Sequence, residues 1–108
     1  MYNNNKGFEY EKIAENFLLH NNFNIIEKNF SCRYGEIDII AMNNGILHFI
    51  EVKGRKNLDH GYPREAVNLA KQKRIIGASK YYFLLKGTDD VFCQFDVVEI
   101  ILEGNFIN

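Results

Sequence analysis

The sequence of 108 residues predicts an α/β (α+β) fold with the element order αβββαβ, forming one domain over residues 1–108. Three observations lead to this prediction. Helical periodicity opens the chain, Asn-Gly joins two of three strand-like segments, and a long second helix separates these from a final strand. The hydrophobic content of 46% is sufficient for a core that needs no metal or disulfide.

The first helix is predicted over residues 8–19 and the first strand over residues 23–30. The helix is amphipathic, and the pair Asn21-Asn22 ends it. Its predicted apolar face consists of Tyr10, Ile13, Ala14, Phe17 and Leu18.

The second and third strands are predicted over residues 35–42 and 46–53, and Asn43-Asn44-Gly45 lies between them. Asn-Gly between two such segments is a strong hairpin signal. Residues 54–61 are predicted as a polar loop. Pro63 suits the start of the second helix, which covers residues 64–85. Residues 87–90 form a turn and residues 91–102 the last strand.

Four charged side chains lie within the predicted hairpin, in strands that otherwise have the composition of buried ones: Glu36, Asp38, Glu51 and Lys53. Strand side chains alternate, so an even-length turn places all four charges on one face. If Asn44-Gly45 is the turn, Asp38 lies opposite Glu51. If Asn43-Asn44 is the turn, Glu36 lies opposite Glu51 instead.

Two carboxylates at cross-strand distance repel, and burial increases the cost. A proton, Lys53 or a divalent cation could neutralise them. Carboxylate oxygens around an open position are ligands that Mg²⁺ accepts, together with water and a substrate phosphate. This arrangement favours metal-assisted phosphodiester hydrolysis, and the alternative is a cross-strand ion network on an exposed face.

Charge is unevenly distributed in a chain whose net charge is only −1. Residues 52–86 carry nine basic and two acidic side chains. Such a block is typical of a phosphate-contacting surface, and the alternative is a solvated helix. The candidate nucleic-acid contacts are Arg55, Lys56, Lys71, Lys73 and Arg74.

Two cysteines, Cys32 and Cys93, show no metal-binding spacing. We find neither a signal peptide nor an apolar run of membrane-span length. We therefore expect a cytoplasmic protein with no membrane partner.

The segments GEIDIIA at 35–41 and FIEVKGR at 49–55 resemble the YraN family of small bacterial proteins. That family belongs to the restriction-endonuclease-like PD-(D/E)xK superfamily and is similar to archaeal Holliday-junction resolvases. The resemblance covers nearly the whole chain. Outside these two segments it rests on Gly7, Glu11, Ala14, Asn29, Gly61, Glu65-Ala66-Val67, Lys71, Arg74, Ala78, Tyr82 and Phe95-Asp96-Val97-Val98. The chain departs from the family at Gly54, Leu69-Ala70 and Gln94, none of which is a candidate metal ligand.

The resemblance implies a restriction-endonuclease-like fold and a site for Mg²⁺ or Mn²⁺. Asp38 and Glu51 would be metal ligands and Lys53 the catalytic lysine. Glu11 would be a third acid, both a catalytic residue and a metal ligand, and its helical angle places it at the margin of the apolar face. Glu36 would not bind the metal itself but would hold the side chain of Lys53 or Arg33 in place. Resolvase-like relatives also imply a homodimer.

The leading functional hypothesis is a divalent-metal-dependent DNA endonuclease that acts on branched or single-stranded DNA. The alternative is a non-catalytic nucleic-acid-binding module or partner subunit in DNA processing. Chelators would abolish the activity of the former and leave DNA binding by the latter unchanged.

Overall fold

The computed structural model describes residues 5–55, 69–87 and 91–101, with the side chains of these ranges apart from those of residues 5–8 and 55. Within these ranges, two helices and four strands follow one another in the predicted order αβββαβ. They are α1 Asn5–His20, β1 Asn24–Cys32, β2 Gly35–Asn43, β3 Ile46–Arg55, α2 Leu69–Lys86 and β4 Phe92–Ile101. The predicted fold class is confirmed.

The strands form one mixed sheet in the order β1-β2-β3-β4. β1 with β2 and β2 with β3 are antiparallel, whereas β3 and β4 are parallel. A parallel pair needs a crossover connection, and α2 lies between β3 and β4 in the chain. The Arg33-Tyr34 turn makes β1 and β2 a second hairpin, with Cys32 paired to Gly35.

The β2–β3 turn is Asn44-Gly45, the first of the two predicted alternatives. Both residues have left-handed backbone, with φ of 53° at Asn44 and 77° at Gly45. Left-handed φ at both central residues defines the type I′ turn, whose twist matches that of the flanking strands. The pairing of Asn43 with Ile46 and of Ile39 with Ile50 follows from this turn.

The two helices pack on opposite faces of the sheet. On one face, Ala78 and Tyr82 of α2 belong to a buried cluster with Phe49. On the other, Ala14 and Leu18 of α1 belong to a cluster around β2, β3 and β4. Neighbouring strand residues point to opposite faces, and β3 therefore supplies a buried residue to each cluster.

The apolar face of α1 is narrower than predicted. Ala14 and Leu18 are buried, but Ile13 is 40% exposed and Phe17 is 56% exposed. These two residues of the predicted apolar face stay partly exposed, because a helix lying on a sheet buries only the ridge that faces it. On α2, Tyr82 is buried and Tyr81 and Phe83 pack against its cluster.

β3 extends into the segment predicted as a loop. Gly54 pairs with Ile100 and Arg55 with Ile101, since the parallel neighbour β4 continues the ladder there. β1 begins at Asn24, one residue later than predicted, and continues to Cys32. The predicted helix start at residue 64, Pro63 and most of the predicted loop lie outside the described residues, as do 88–90 and 102.

Neither of the helices described is long and apolar enough to span a bilayer. Both cysteines are free thiols, Cys32 half-buried and Cys93 exposed.

Gly54 allows α1 to lie against β3. A Cβ at this position would stand 2.4 Å from the Cγ and Cδ1 ring atoms of Tyr10. We expect Gly54→Ala to lower the free energy of unfolding by about 1–3 kcal/mol through overpacking, measured by denaturant titration. In a Tyr10→Ala background the same change should cost little, because the clashing ring is gone. Equal costs in the two backgrounds would contradict this packing.

Candidate active site

A cleft opens where β2 and β3 stop pairing. Their last pair is Ile39–Ile50, and beyond it Asp38 Oδ2 accepts a hydrogen bond of 2.8 Å from the Val52 N–H. In a continued ladder this N–H would bond to the carbonyl of Ile37. A side chain therefore replaces a backbone acceptor, and the strands part.

The volume of the cleft is about 520 Å³, and α1, β1, β2, β3 and α2 all contribute to its walls. Among the described residues, its charged lining consists of Glu11, Glu36, Asp38, Glu51, Lys71 and Arg74. The three predicted metal ligands come from α1, β2 and β3, and the structure brings them to this one cleft.

At Asp38, the side chains of strand β2 depart from regular alternation between the two faces of the sheet. Ile37 packs in the cluster beneath α2, and Ile39 packs in the cluster beneath α1. On a regular strand two such residues would point to the same side. The predicted acids thus reach the cleft through a local break in side-chain alternation as well as through the hairpin itself.

Burial is the largest cause of the raised pKa of Asp38, which lies at about 6 instead of 3.8. The hydrogen bond from Val52 opposes the shift, whereas the negative charges of Glu51, Glu11 and Glu36 add to it. A carboxyl group with this pKa keeps part of its proton until the pH approaches neutral, because ionisation places a negative charge in a buried site beside other carboxylates.

Glu51 is buried and forms an ion pair with Lys71 of α2, with 2.6 Å between Oε2 and Nζ. The side chains are 8% and 29% exposed, respectively. Gly35 permits the close approach of α2, since a Cβ there would stand 3.0 Å from the Cβ and carbonyl oxygen of Arg74. This contact gives Lys71 a position inside the cleft that the sequence analysis did not predict.

Lys53 lies beside the cleft, half-buried. Burial lowers its pKa, and the positive charge of Lys71 lowers it further, whereas Glu51 and Asp38 act in the opposite direction. Both lysines therefore lie near Glu51, Lys71 as its ion-pair partner and Lys53 within range of its charge.

Glu11 is half-buried in the cleft wall, and Asn29 holds its carboxylate. With the amide oriented so that its nitrogen faces Glu11, Asn29 donates to Oε1 at 3.3 Å and to Oε2 at 3.2 Å. Asn29 has a left-handed φ of 56°, a conformation that Asn tolerates. The sequence analysis noted Asn29 only as a matching family position, and its left-handed backbone in a strand was not evident from local pattern.

Glu36 is exposed at the edge of the cleft, and Arg33 donates to the Tyr34 hydroxyl at 2.9 Å. Of the predicted nucleic-acid contacts, Lys71 and Arg74 line the cleft. Lys73 is exposed on α2. The side chain of Arg55 and the whole of Lys56 lie outside the described residues.

Asp96 has a structural role, joining two strands of the sheet. Its Oδ2 lies 2.5 Å from Nδ1 of His48 on the neighbouring strand, and its Oδ1 accepts a hydrogen bond of 2.8 Å from Gln94. His48 is buried, so the contact joins β3 to β4 inside the fold. The sequence showed His48 only as an isolated histidine.

The cleft fits a hard divalent cation through its donor chemistry. Asp38 and Glu51 offer carboxylate oxygens, and Mg²⁺ takes one or two carboxylates together with several waters. A cation would also favour the ionised form of Asp38, against the burial and the neighbouring negative charges that raise its pKa. Within the described residues, however, no three acidic, imidazole or thiol side chains are gathered closely enough to form a ready-made ligand group.

Asp38 should weaken the fold at neutral pH. The raised pKa means that the native state holds its proton more tightly than the unfolded state. Its stabilising contribution is full below the unfolded value of 3.8 and is lost as the pH rises through about 6. In chelator at pH 7.5, Asp38→Asn should therefore raise the free energy of unfolding by on the order of 2 kcal/mol.

The gain should shrink as the pH falls from 6 towards 4, which denaturant titrations at several pH values would measure. Glu36→Gln, an exposed change on the same strand, should have a smaller effect. A gain from Asp38→Asn that does not vary with pH would contradict the burial argument.

Comparison with known proteins identifies the family. Residues 10–100 match the model described as uncharacterised protein family UPF0102. A UPF0102 protein of Clostridium perfringens strain 13 is 46% identical over 99 residues, covering 92% of this chain and 81% of that protein. One from Clostridioides difficile strain 630 is 43% identical over 108 residues, covering 100% of this chain and 95% of the relative.

A third relative, from Clostridium tetani, is 45% identical over 103 residues, which are 95% of this chain and 84% of that protein. The matched range includes every described residue of the cleft. The resemblance drawn from GEIDIIA and FIEVKGR is confirmed, and the chain belongs to the UPF0102 family.

Proposed function

We propose that the protein is a divalent-metal-dependent nuclease that hydrolyses phosphodiester bonds in DNA, with branched or single-stranded DNA as substrate. The observation that carries the proposal is the convergence of Glu11, Asp38 and Glu51 in one cleft, with Lys53 beside it. These acids come from α1, β2 and β3, and a structural ion pair would need only one of them.

Asp38 and Glu51 would hold Mg²⁺ or Mn²⁺, with Glu11, which also lines the cleft, as a third ligand. Such a cation neutralises charge on a phosphodiester and makes water a better nucleophile. The Val52 N–H fixes one oxygen of Asp38, so this carboxylate is oriented before any ligand arrives. Preorganised charge of this kind avoids rearrangement during the reaction.

Lys53 supplies positive charge to the oxygens of the scissile phosphate as negative charge develops on them. Burial lowers the pKa of Lys53 from its ordinary value, which makes its Nζ atom a better proton donor to an oxygen of the phosphate than an exposed lysine would be. Glu11 accepts a hydrogen bond from the attacking water, and Asn29 orients it by donating to its carboxylate.

Arg74 and Lys73 would contact phosphates on either side of the scissile one, since both are exposed on the helix that bounds the cleft. Contacts of this kind position the backbone without reading sequence. The proposal extends to a cytoplasmic location, where bacterial DNA lies, and to a homodimer, which would present two clefts to two opposed strands.

A non-catalytic DNA-binding module is the second candidate, and the ion pair between Glu51 and Lys71 favours it. A carboxylate already neutralised by a lysine 2.6 Å away has less need of a metal. This candidate requires DNA binding that is insensitive to chelators and no cleavage of any DNA structure.

A cleavage panel tests the proposal. Single-stranded, duplex, flap and four-way-junction DNA would be incubated with the protein and Mg²⁺ or Mn²⁺. Asp38→Asn, Glu51→Gln and Lys53→Met should each reduce cleavage at least about 100-fold, the scale seen when one charge-stabilising group is removed from an active site.

Glu11→Gln should also lower the cleavage rate, and Glu15→Gln provides its matched control. Glu15 is one helical turn further along α1, is also half-buried, and pairs with Lys28 at 3.1 Å. Glu15→Gln should therefore cleave like the parent. Cleavage by Asp38→Asn at the parental rate would exclude this cleft as the site.

A further inference from the structure

The ion pair between Lys71 and Glu51 occupies a carboxylate that the proposed function assigns to the metal. Lys71 Nζ lies 2.6 Å from Glu51 Oε2, and the Glu51 side chain is only 8% exposed. Lys71 belongs to α2, whereas Glu51 belongs to β3, so the pair also joins a helix to the sheet at the cleft.

A metal bonded to the Glu51 carboxylate would lie within a few ångströms of the Lys71 ammonium. Two positive charges that close repel strongly, and partial burial reduces the screening by water. The Lys71 ammonium and a divalent cation therefore compete for the same carboxylate, and binding of one weakens binding of the other.

We propose that Lys71 is an exchangeable counter-cation, which neutralises Glu51 when the metal is absent and passes to a phosphate of the nucleic acid when the metal binds. The inference rests on the proposed function. Lys71 is 29% exposed, so its ammonium can reach the open side of the cleft. Arg74, on the same wall, is exposed there and provides a second positive charge for the phosphate.

Exchange has a thermodynamic consequence. Metal binding releases Lys71 for a phosphate, and a phosphate that holds Lys71 leaves Glu51 to the metal. Metal and polynucleotide therefore strengthen each other's binding by the same factor. Without Lys71, metal alone binds more tightly and this mutual strengthening is reduced.

The first measurement concerns the pair itself, in chelator. Lys71→Gln, Glu51→Gln and the double variant form a double-mutant cycle, with unfolding followed by denaturant titration. We expect a coupling of about tenfold in the unfolding equilibrium, equivalent to about 1.4 kcal/mol. A cycle that closes without coupling would overturn the proposal, since Lys71 would not then neutralise Glu51.

The second measurement is the affinity for Mn²⁺ alone, by calorimetric titration. Lys71→Gln should bind Mn²⁺ about tenfold more tightly than the parent, a gain of about 1.4 kcal/mol. Lys80→Gln is the matched control, because it removes the same charge from an exposed position nine residues further along α2. It should bind Mn²⁺ like the parent.

The outcomes separate the two proposals. If the parent binds Mn²⁺ and Lys71→Gln binds it equally or more weakly, the exchange is wrong and the proposed nuclease stands. If the cycle shows coupling but neither protein binds Mn²⁺, the metal-dependent function fails and the exchange fails with it. Lys71 is then a permanent partner of Glu51.

Discussion

The Asp38 carboxylate accepts the Val52 N–H at a position where a regular hairpin would have a backbone carbonyl. This one hydrogen bond ends the ladder between β2 and β3 and fixes the direction of the carboxylate. It also opens the space into which α1 brings Glu11 and α2 brings Lys71. The Asn44-Gly45 turn at the other end of the hairpin sets the register that places Asp38 next to β3. The turn therefore sets the register of the hairpin, and the register places the hydrogen bond that opens the cleft.

Burying acidic side chains in the cleft costs folding free energy, and a cost of this kind is typical of a functional site. Four acidic side chains line the cleft among the described residues, and burial raises the pKa of Asp38 to about 6. Natural proteins often carry such destabilising groups where function needs them. Lys71 reduces the cost at Glu51, and Asn29 stabilises Glu11 through its amide. A cation between the acids would reduce the cost further, which connects the stability of the free protein to the activity proposed for it.

Much of the fold and part of the site could be predicted because the relevant signals are local. Asn-Gly defined the hairpin and its register, which brings Asp38 and Glu51 to the same end of the ladder, and helical angle placed Glu11 near the core. The contacts that organise the site join residues distant in sequence. Glu51 meets Lys71 across the β3–β4 crossover, and Glu11 meets Asn29 through a left-handed residue in β1. No periodicity encodes such pairs. The exposed Ile13 and Phe17 similarly reflect how α1 lies on the sheet, which helical spacing alone does not determine.

A divalent cation in the cleft would be located by a crystal structure of the protein grown with Mn²⁺, through the anomalous scattering of the metal. We expect a single strong peak bonded to oxygens of both Asp38 and Glu51, with the Lys71 ammonium moved away from Glu51. A map without a peak in the cleft, with Lys71 still paired to Glu51, would contradict this expectation.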